Sequence, residues 1–146
     1  MDEEHRMHPL KRPRVVLADD NQAVLESVRQ LLASDFDLIA LVSDGQAAFD
    51  AVVTLRPEAV VLDISMPRGS GLEVAKRLSA LTDPPRIVFL TVHEGSDFLA
   101  AAQEAGASGY VLKRNAGSDL IRVLKQTLCG HRAFPEASDE ATPVLD

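Results

Sequence analysis

A chain of 146 residues, 46% apolar and 25% charged, has the length and balance of one globular domain and excludes disorder across most of the sequence. The 22 acids outnumber the 15 bases for a net charge of −7, which repels a phosphate backbone and excludes unaided gripping of nucleic acid. A single cysteine, Cys129, excludes an internal disulfide and points to a reducing, cytoplasmic compartment, while an acidic N-terminus and no run near ~18 apolar residues predict neither signal peptide nor membrane span.

Residues 1–13 mix charges with Pro9 and Pro13 and offer nothing to bury, which predicts a mobile leader. From Arg14 short β-branched runs alternate with longer amphipathic stretches, the pattern of βα units on a parallel sheet. The runs are Val15–Ala18, Leu38–Val42, Ala59–Leu62, Ile87–Leu90 and Gly109–Leu112, and their unbroken apolar character predicts strands covered on both faces. Between the first two, Asn21–Ser34 places Val24, Leu25, Val28, Leu31 and Leu32 on one helical stripe. Gln46–Leu55, Leu72–Leu81, Ser96–Ala105 and Ser118–Leu128 repeat the theme, with turn residues at Asp44-Gly45, Arg56-Pro57, Asp83-Pro84-Pro85 and Ala105-Gly106. The fifth helix is expected to end near Gly130, which divides the chain into a leader, a domain over 14–130, and a tail or the start of a linker over 131–146.

In an open α/β sheet, reactive groups sit just beyond the carboxyl ends of strands. Four of those ends carry something reactive: Asp19-Asp20, Asp63, Thr91 and Lys113. Three carboxylates converging on one sheet edge repel each other unless a cation neutralises them, and an all-oxygen set selects a hard ion such as Mg²⁺. A lysine and a hydroxyl beside them suit a tetrahedral oxyanion. Each residue alone is equally a helix cap or turn residue; the ordered set is what points to a site.

Val15-Val-Leu-Ala-Asp-Asp20, Val60-Val-Leu-Asp-Ile-Ser-Met-Pro67, Val88-Phe-Leu-Thr91 and Ala105-Gly-Ala-Ser-Gly-Tyr-Val-Leu-Lys113 together resemble the receiver domain of bacterial two-component response regulators, from Arg14 to about Gly130. The resemblance implies a flavodoxin-like (βα)5 fold, a doubly wound five-stranded parallel sheet of order 2-1-3-4-5. It implies that Asp63 is phosphorylated by a sensor histidine kinase, that Asp19, Asp20, Asp63 and the Ser65 carbonyl hold Mg²⁺, and that Lys113 and Thr91 take phosphoryl oxygens. Thr91 and Tyr110 would form the switch, with the phosphorylated state drawing Thr91 inward and leaving room for Tyr110, and the fourth helix, fifth strand and fifth helix as the output face. Such a domain is not a conventional enzyme; it promotes its own phosphorylation and dephosphorylation.

Asp63-Ile-Ser-Met-Pro67, Thr91-Val-His93 and Gly109-Tyr-Val-Leu-Lys-Arg-Asn-Ala116 resemble the NarL/FixJ-like (LuxR-type) branch, whose members commonly carry a helix-turn-helix DNA-binding domain after the receiver. Residues 131–146 are too few for one, so DNA contact is expected only through a further domain and regulation of transcription only through an attached or partner output. That branch also implies a phosphorylation-dependent homodimer through the first and fifth helices, with Arg122, Lys125 and Gln126 meeting acids such as Glu26. Three positions depart from the family pattern: Arg114 replaces a frequent proline, Ser70 stands where aspartate is common, and Val92 is bulky enough to narrow access to the phosphoryl group.

Other features read as ordinary. Gly69-Ser-Gly71 lacks the spacing of a dinucleotide fingerprint, His5 and His8 have no third metal ligand, Cys129 is expected as a small packed hydrophobe, and His93 as a solvated residue at the pocket rim. The competing function classes are an aspartyl-phosphate phosphatase, disfavoured because Ser65 stands where its acid would be, and a phosphate-independent binding module.

Overall fold

A computed structural model describes residues 11–135. Its elements in chain order are β1 (Arg14–Ala18), α1 (Gln22–Leu32), β2 (Asp37–Val42), α2 (Gly45–Leu55), β3 (Ala59–Leu62), α3 (Gly71–Ser79), β4 (Arg86–Thr91), α4 (Ser96–Glu104), β5 (Gly109–Leu112), a 3₁₀ turn (Lys113–Asn115) and α5 (Ala116–Leu128). All strands pair in parallel in the order β2-β1-β3-β4-β5, which is the doubly wound sheet the resemblance implies. His5, His8 and residues 136–146 lie outside the described residues.

Alternation along the strands sorts their apolar side chains into two layers. Val16, Val60, Leu62, Ile87 and Phe89 face α2, α3 and α4 through Ala48, Val52, Val74, Leu78, Leu99 and Ala102. Val15, Leu17, Val61, Val88, Leu90 and Val111 face α1 and α5 through Leu25, Val28, Leu32, Leu120, Val123 and Leu124. Each fully buried Leu or Val contributes about 1.5–3 kcal/mol relative to exposure.

The expectation of two-sided burial fails at β2, whose residues are only half-buried or exposed. As the sheet's outer strand it has a neighbour on one side only, and Leu41 is left exposed. Helix limits move by one or two residues for local reasons. Asn21 is not helical; its side chain accepts from the Ala23 and Val24 N–H groups as N-cap of α1. α3 stops at Ser79 because its last turn tightens into Ala80 N–H to Arg77 and Leu81 N–H to Leu78 bonds.

Cys129 is exposed, against the expectation of a packed position. It caps α5 one residue past Leu128, off the buried stripe of Leu120, Val123, Leu124 and Thr127. At the chain's described ends, Pro13 O accepts from Asp37 N–H at 2.8 Å and Arg12 Nη1 donates to Ala33 O at 2.7 Å. Residues 131–135 lie beside β5 and join it through a parallel bridge between Gly109 and Ala133.

Candidate functional site

Parallel strands bring their carboxyl ends to one edge, and there the chain places Asp19, Asp63 and Lys113 together. Asp19 continues β1 by donating its N–H to Val42 O at 3.0 Å, and its Oδ1 accepts from Asn21 N–H at 2.9 Å, so the cap of α1 also aims this carboxylate. Asp63 extends β3 in the same way, its N–H on Ala18 O at 3.1 Å. Both aspartates are buried.

Lys113 Nζ stands 3.0 Å from Asp63 Oδ2 and 2.8 Å from Asp19 Oδ2, one ammonium bridging two carboxylates. The contact with Asp63 has hydrogen-bond geometry, whereas Asp19 Oδ2, though buried and closer to the ammonium, lies off the best hydrogen-bond alignment. Burial pushes the Asp19 carboxyl above its ordinary range, and the neighbouring Asp63 charge acts the same way against the pull of Lys113 and the Asn21 N–H. Burial alone would lower Lys113, but the two carboxylates outweigh it and hold the ammonium above its ordinary value.

Asp20 is exposed beside this pair, and one oxygen from each of Asp19, Asp20 and Asp63 lies within 4.8 Å of the others. This acidic cluster, with one buried oxygen lacking a donor, fits a hard divalent cation.

Two glycines position the loop after β3, and neither emerged from the sequence reading as a site residue. A Cβ on Gly71 would stand 2.0 Å from Asp63 O, and one on Gly45 would stand 2.1 Å from Gly69 O. Their N–H groups donate to Ile64 O at 2.7 Å and Pro67 O at 3.0 Å, which straps the loop to the starts of α3 and α2. The glycines at 69 and 71 were visible as a short Gly-Ser-Gly phrase, but a close backbone approach across 8 residues leaves no local pattern. Ser70, where the family pattern often has aspartate, caps α3 by accepting from Glu73 N–H at 3.2 Å.

Thr91 and Tyr110 are buried on neighbouring strands. Thr91 Oγ1 accepts from His93 N–H at 3.3 Å, and Tyr110 OH donates to His93 O at 2.8 Å, so His93 joins both. His93 is not the solvated rim residue expected. Its ring stacks on Phe98 at 4.4 Å and its Nε2 bonds Ser65 Oγ at 2.9 Å, linking the loops after β3 and β4. Val92 is 64% exposed and turned to solvent, and Arg114 pairs with Glu94. The sequence-derived residues thus divide: Asp19, Asp20, Asp63 and Lys113 converge, Thr91 and Tyr110 lie together nearby, and Ser65 is exposed on the loop.

Burial, aided by the Glu94 charge, pushes the Tyr110 hydroxyl up to about 12 from 10.0. Because the folded value exceeds the unfolded one, this group's contribution to stability is complete below about pH 10 and is lost as pH rises through about 12. Tyr110 is the only tyrosine and there is no tryptophan, so the tyrosinate absorbance that grows on ionisation follows it alone. The expected midpoint is near 12 in the folded protein; a midpoint at 10 in a folded sample would contradict its burial.

The model of the response regulator receiver domain family matches residues 15–125. The response regulator MprA of Mycobacterium sp. strain KMS is 36% identical over 132 residues, covering 90% of this chain and 56% of that protein. The chain therefore spans about half the length of the curated relatives it matches. Among solved structures, a LuxR-family two-component response regulator from Aurantimonas sp. SI85-9A1 superposes with a TM-score of 0.84 at 31% identity, covering 93% of this chain and all of that one. The isolated receiver of RcsB from Salmonella enterica serovar Typhimurium, solved with the phosphomimetic BeF₃⁻, gives 0.79 at 25% identity over 89% of this chain and 98% of that one. These likenesses support the NarL/FixJ-like branch. With the family model spanning the sheet, the acidic edge and the lysine, the chain belongs to the response regulator receiver domain family.

Proposed function

We propose that Asp63 is the phosphoacceptor of this receiver and that a sensor histidine kinase supplies the phosphoryl group. The observation that carries the reading is the single ammonium of Lys113 held between buried Asp19 and Asp63, with Asp20 beside them. An Asp63 carboxylate oxygen attacks the phosphorus of a phosphohistidine; a P–O bond forms, the P–N bond breaks, and its electron pair leaves on the imidazole, which takes a proton from solvent. Lys113 stays charged and orients one phosphoryl oxygen, and Thr91 turns its hydroxyl toward a second. Asp19, Asp20, Asp63 and the Ser65 carbonyl would hold Mg²⁺, which supplies neutralisation of the crowded negative charge when bound. Hydrolysis by water then restores the carboxylate and releases phosphate.

The receiver unit is assigned to 14–130 and the output link to 131–146. RcsB, a relative by structure, has been solved bound to DNA; for this chain, regulation of transcription is assigned to an attached or partner output and not to the receiver itself. No helix among the described residues is long and apolar enough to cross a membrane. Homodimerisation through α1 and α5 is part of the proposal. In the single chain Glu26 pairs with Arg29, Arg122 with Asp119 and Lys125 with Asp35, surface contacts that a partner can exchange.

Asp63→Asn is the test. Acetyl phosphate with Mg²⁺ should add one phosphoryl group to the wild type by intact mass and none to the variant. Beryllofluoride should shift only the wild type toward dimer in sedimentation. The variant should keep the fold, since a neutral amide relieves repulsion with Asp19. An unmodified wild type, or equal modification of both, rejects Asp63 as acceptor; unchanged sedimentation of a modified wild type rejects the dimer alone.

A further inference from the structure

β5 is the last strand of the sheet, and its outer backbone groups would be open to solvent. The chain covers them itself. After α5, Gly130 adopts a positive φ of 96° and its N–H bonds Thr127 O at 2.9 Å, turning the chain back on the helix. Ala133 N–H then donates to Ser108 O at 2.9 Å, and Tyr110 N–H donates to Ala133 O at 3.1 Å.

Side chains reinforce this edge pairing. The Phe134 ring lies 6.4 Å from that of Tyr110 at 28°, and Phe89 lies 6.4 Å from Tyr110 on its own account at 57°, so the tyrosine contacts an aromatic ring from the core and one from the returning segment. Arg132 places its guanidinium 5.5 Å over the Phe134 ring. Room for the segment depends on Gly109, where a Cβ would stand 3.3 Å from Ala133 O and 2.7 Å from Val123 Cγ1.

Tyr110 is therefore shared. Its amide holds Ala133, its ring holds Phe134, and its hydroxyl is tied to His93 next to Thr91. Its ring cannot swing outward without losing the Phe134 stack.

We infer that His131–Pro135 is a latch whose docking on β5 and the burial of Tyr110 form one equilibrium, so that the state of Asp63 sets how the chain leaves the domain at Pro135. The inference rests on the reading of Asp63 as phosphoacceptor and on the Thr91–Tyr110 switch that the family resemblance implies. Coupling of this kind is reciprocal: whatever tightens Tyr110 in its buried position tightens the latch, and a weakened latch weakens the response at Asp63 by the same factor.

The experiment uses the 146-residue chain. Amide exchange by NMR at Ala133 reads the latch, and ultraviolet titration of the single tyrosine reads Tyr110. Phe134→Ala removes the stack, and Ala133→Pro removes the N–H bonded to Ser108 without touching an aromatic ring. Both variants should accelerate exchange at the Tyr110 amide by about 10-fold or more and bring its ionisation midpoint toward the ordinary value. Beryllofluoride with Mg²⁺ should slow exchange at wild-type Ala133 by roughly 5–10-fold, and Phe134→Ala should need about 5–10-fold more of it for half-occupancy.

Wild-type values at Tyr110 in both variants overturn the latch. A Tyr110 that responds to beryllofluoride while Ala133 does not also overturns it, with the switch intact. Bound beryllofluoride that moves neither residue overturns the switch, and the latch as its output with it.

Discussion

Gly71→Ala is expected to cost stability at or beyond the upper end of the ~1–3 kcal/mol usual for overpacking, and to disable the acceptor site even where the protein remains folded. The added Cβ would stand 2.0 Å from Asp63 O and 2.9 Å from Asp63 C. Both are backbone atoms, so no rotamer relieves the contact. Relief requires the start of α3 to part from the loop after β3, which stretches the 2.7 Å bond from Gly71 N–H to Ile64 O and turns the peptide that carries Asp63. Urea unfolding of Gly71→Ala beside Gly117→Ala is the measurement. Gly117 lies within α5 with nothing within 4 Å of an added methyl, so the same substitution there should stabilise by about 0.5–1 kcal/mol. Equal midpoints for the two variants would show that the approach at Gly71 is not as close as described.

Lys113→Met should cost about 3 kcal/mol in metal-free buffer, because it leaves Asp19 and Asp63, with side chains only 2% and 7% exposed, as neighbouring carboxylates without a cation. The methionine keeps the stem and its packing, so the loss is one of charge. Millimolar MgCl₂ should return a large part of it, since a divalent ion at the acidic edge takes over the neutralisation. The wild type, already holding an ammonium there, should gain less from the same salt. Removing the second carboxylate by Asp63→Asn should make the loss at Lys113 smaller, and the double-mutant cycle measures that coupling. Urea midpoints indifferent to Lys113→Met, with and without Mg²⁺, would contradict the bridging role of the lysine.

What was legible in the sequence was what repeats locally or ends a repeat. Apolar runs of β-branched residues marked the strands, the stripe of Leu25, Val28 and Leu32 marked α1, and the residues just past the runs named Asp19, Asp63 and Lys113, whose charged atoms the fold brings within 2.8–3.0 Å across the lysine. Contacts between loops were not legible. Ser65 and His93 are 28 positions apart and meet only because β3 and β4 are adjacent, and Gly71 matters only through a carbonyl 8 residues earlier. The segment at Ala133 and Phe134 reads as a tail because two apolar residues before a proline show no alternation, yet pairing with β5 needs only two backbone bonds. β2 misled in the other direction: an apolar run says nothing about which strand will lie outermost.

The strand order also governs the order of assembly during synthesis. β1, α1, β2, α2 and β3 form a three-stranded unit from the first half of the chain, and β4 and β5 are then laid down one after another on the same growing side. Until α5 emerges, only α1 shields the second layer, which then lacks Leu120, Val123 and Leu124. The nascent domain therefore exposes a sticky apolar surface until Leu120, Val123 and Leu124 are made, and a ribosome stalled before Ala116 would hold a chaperone substrate instead of a folded protein.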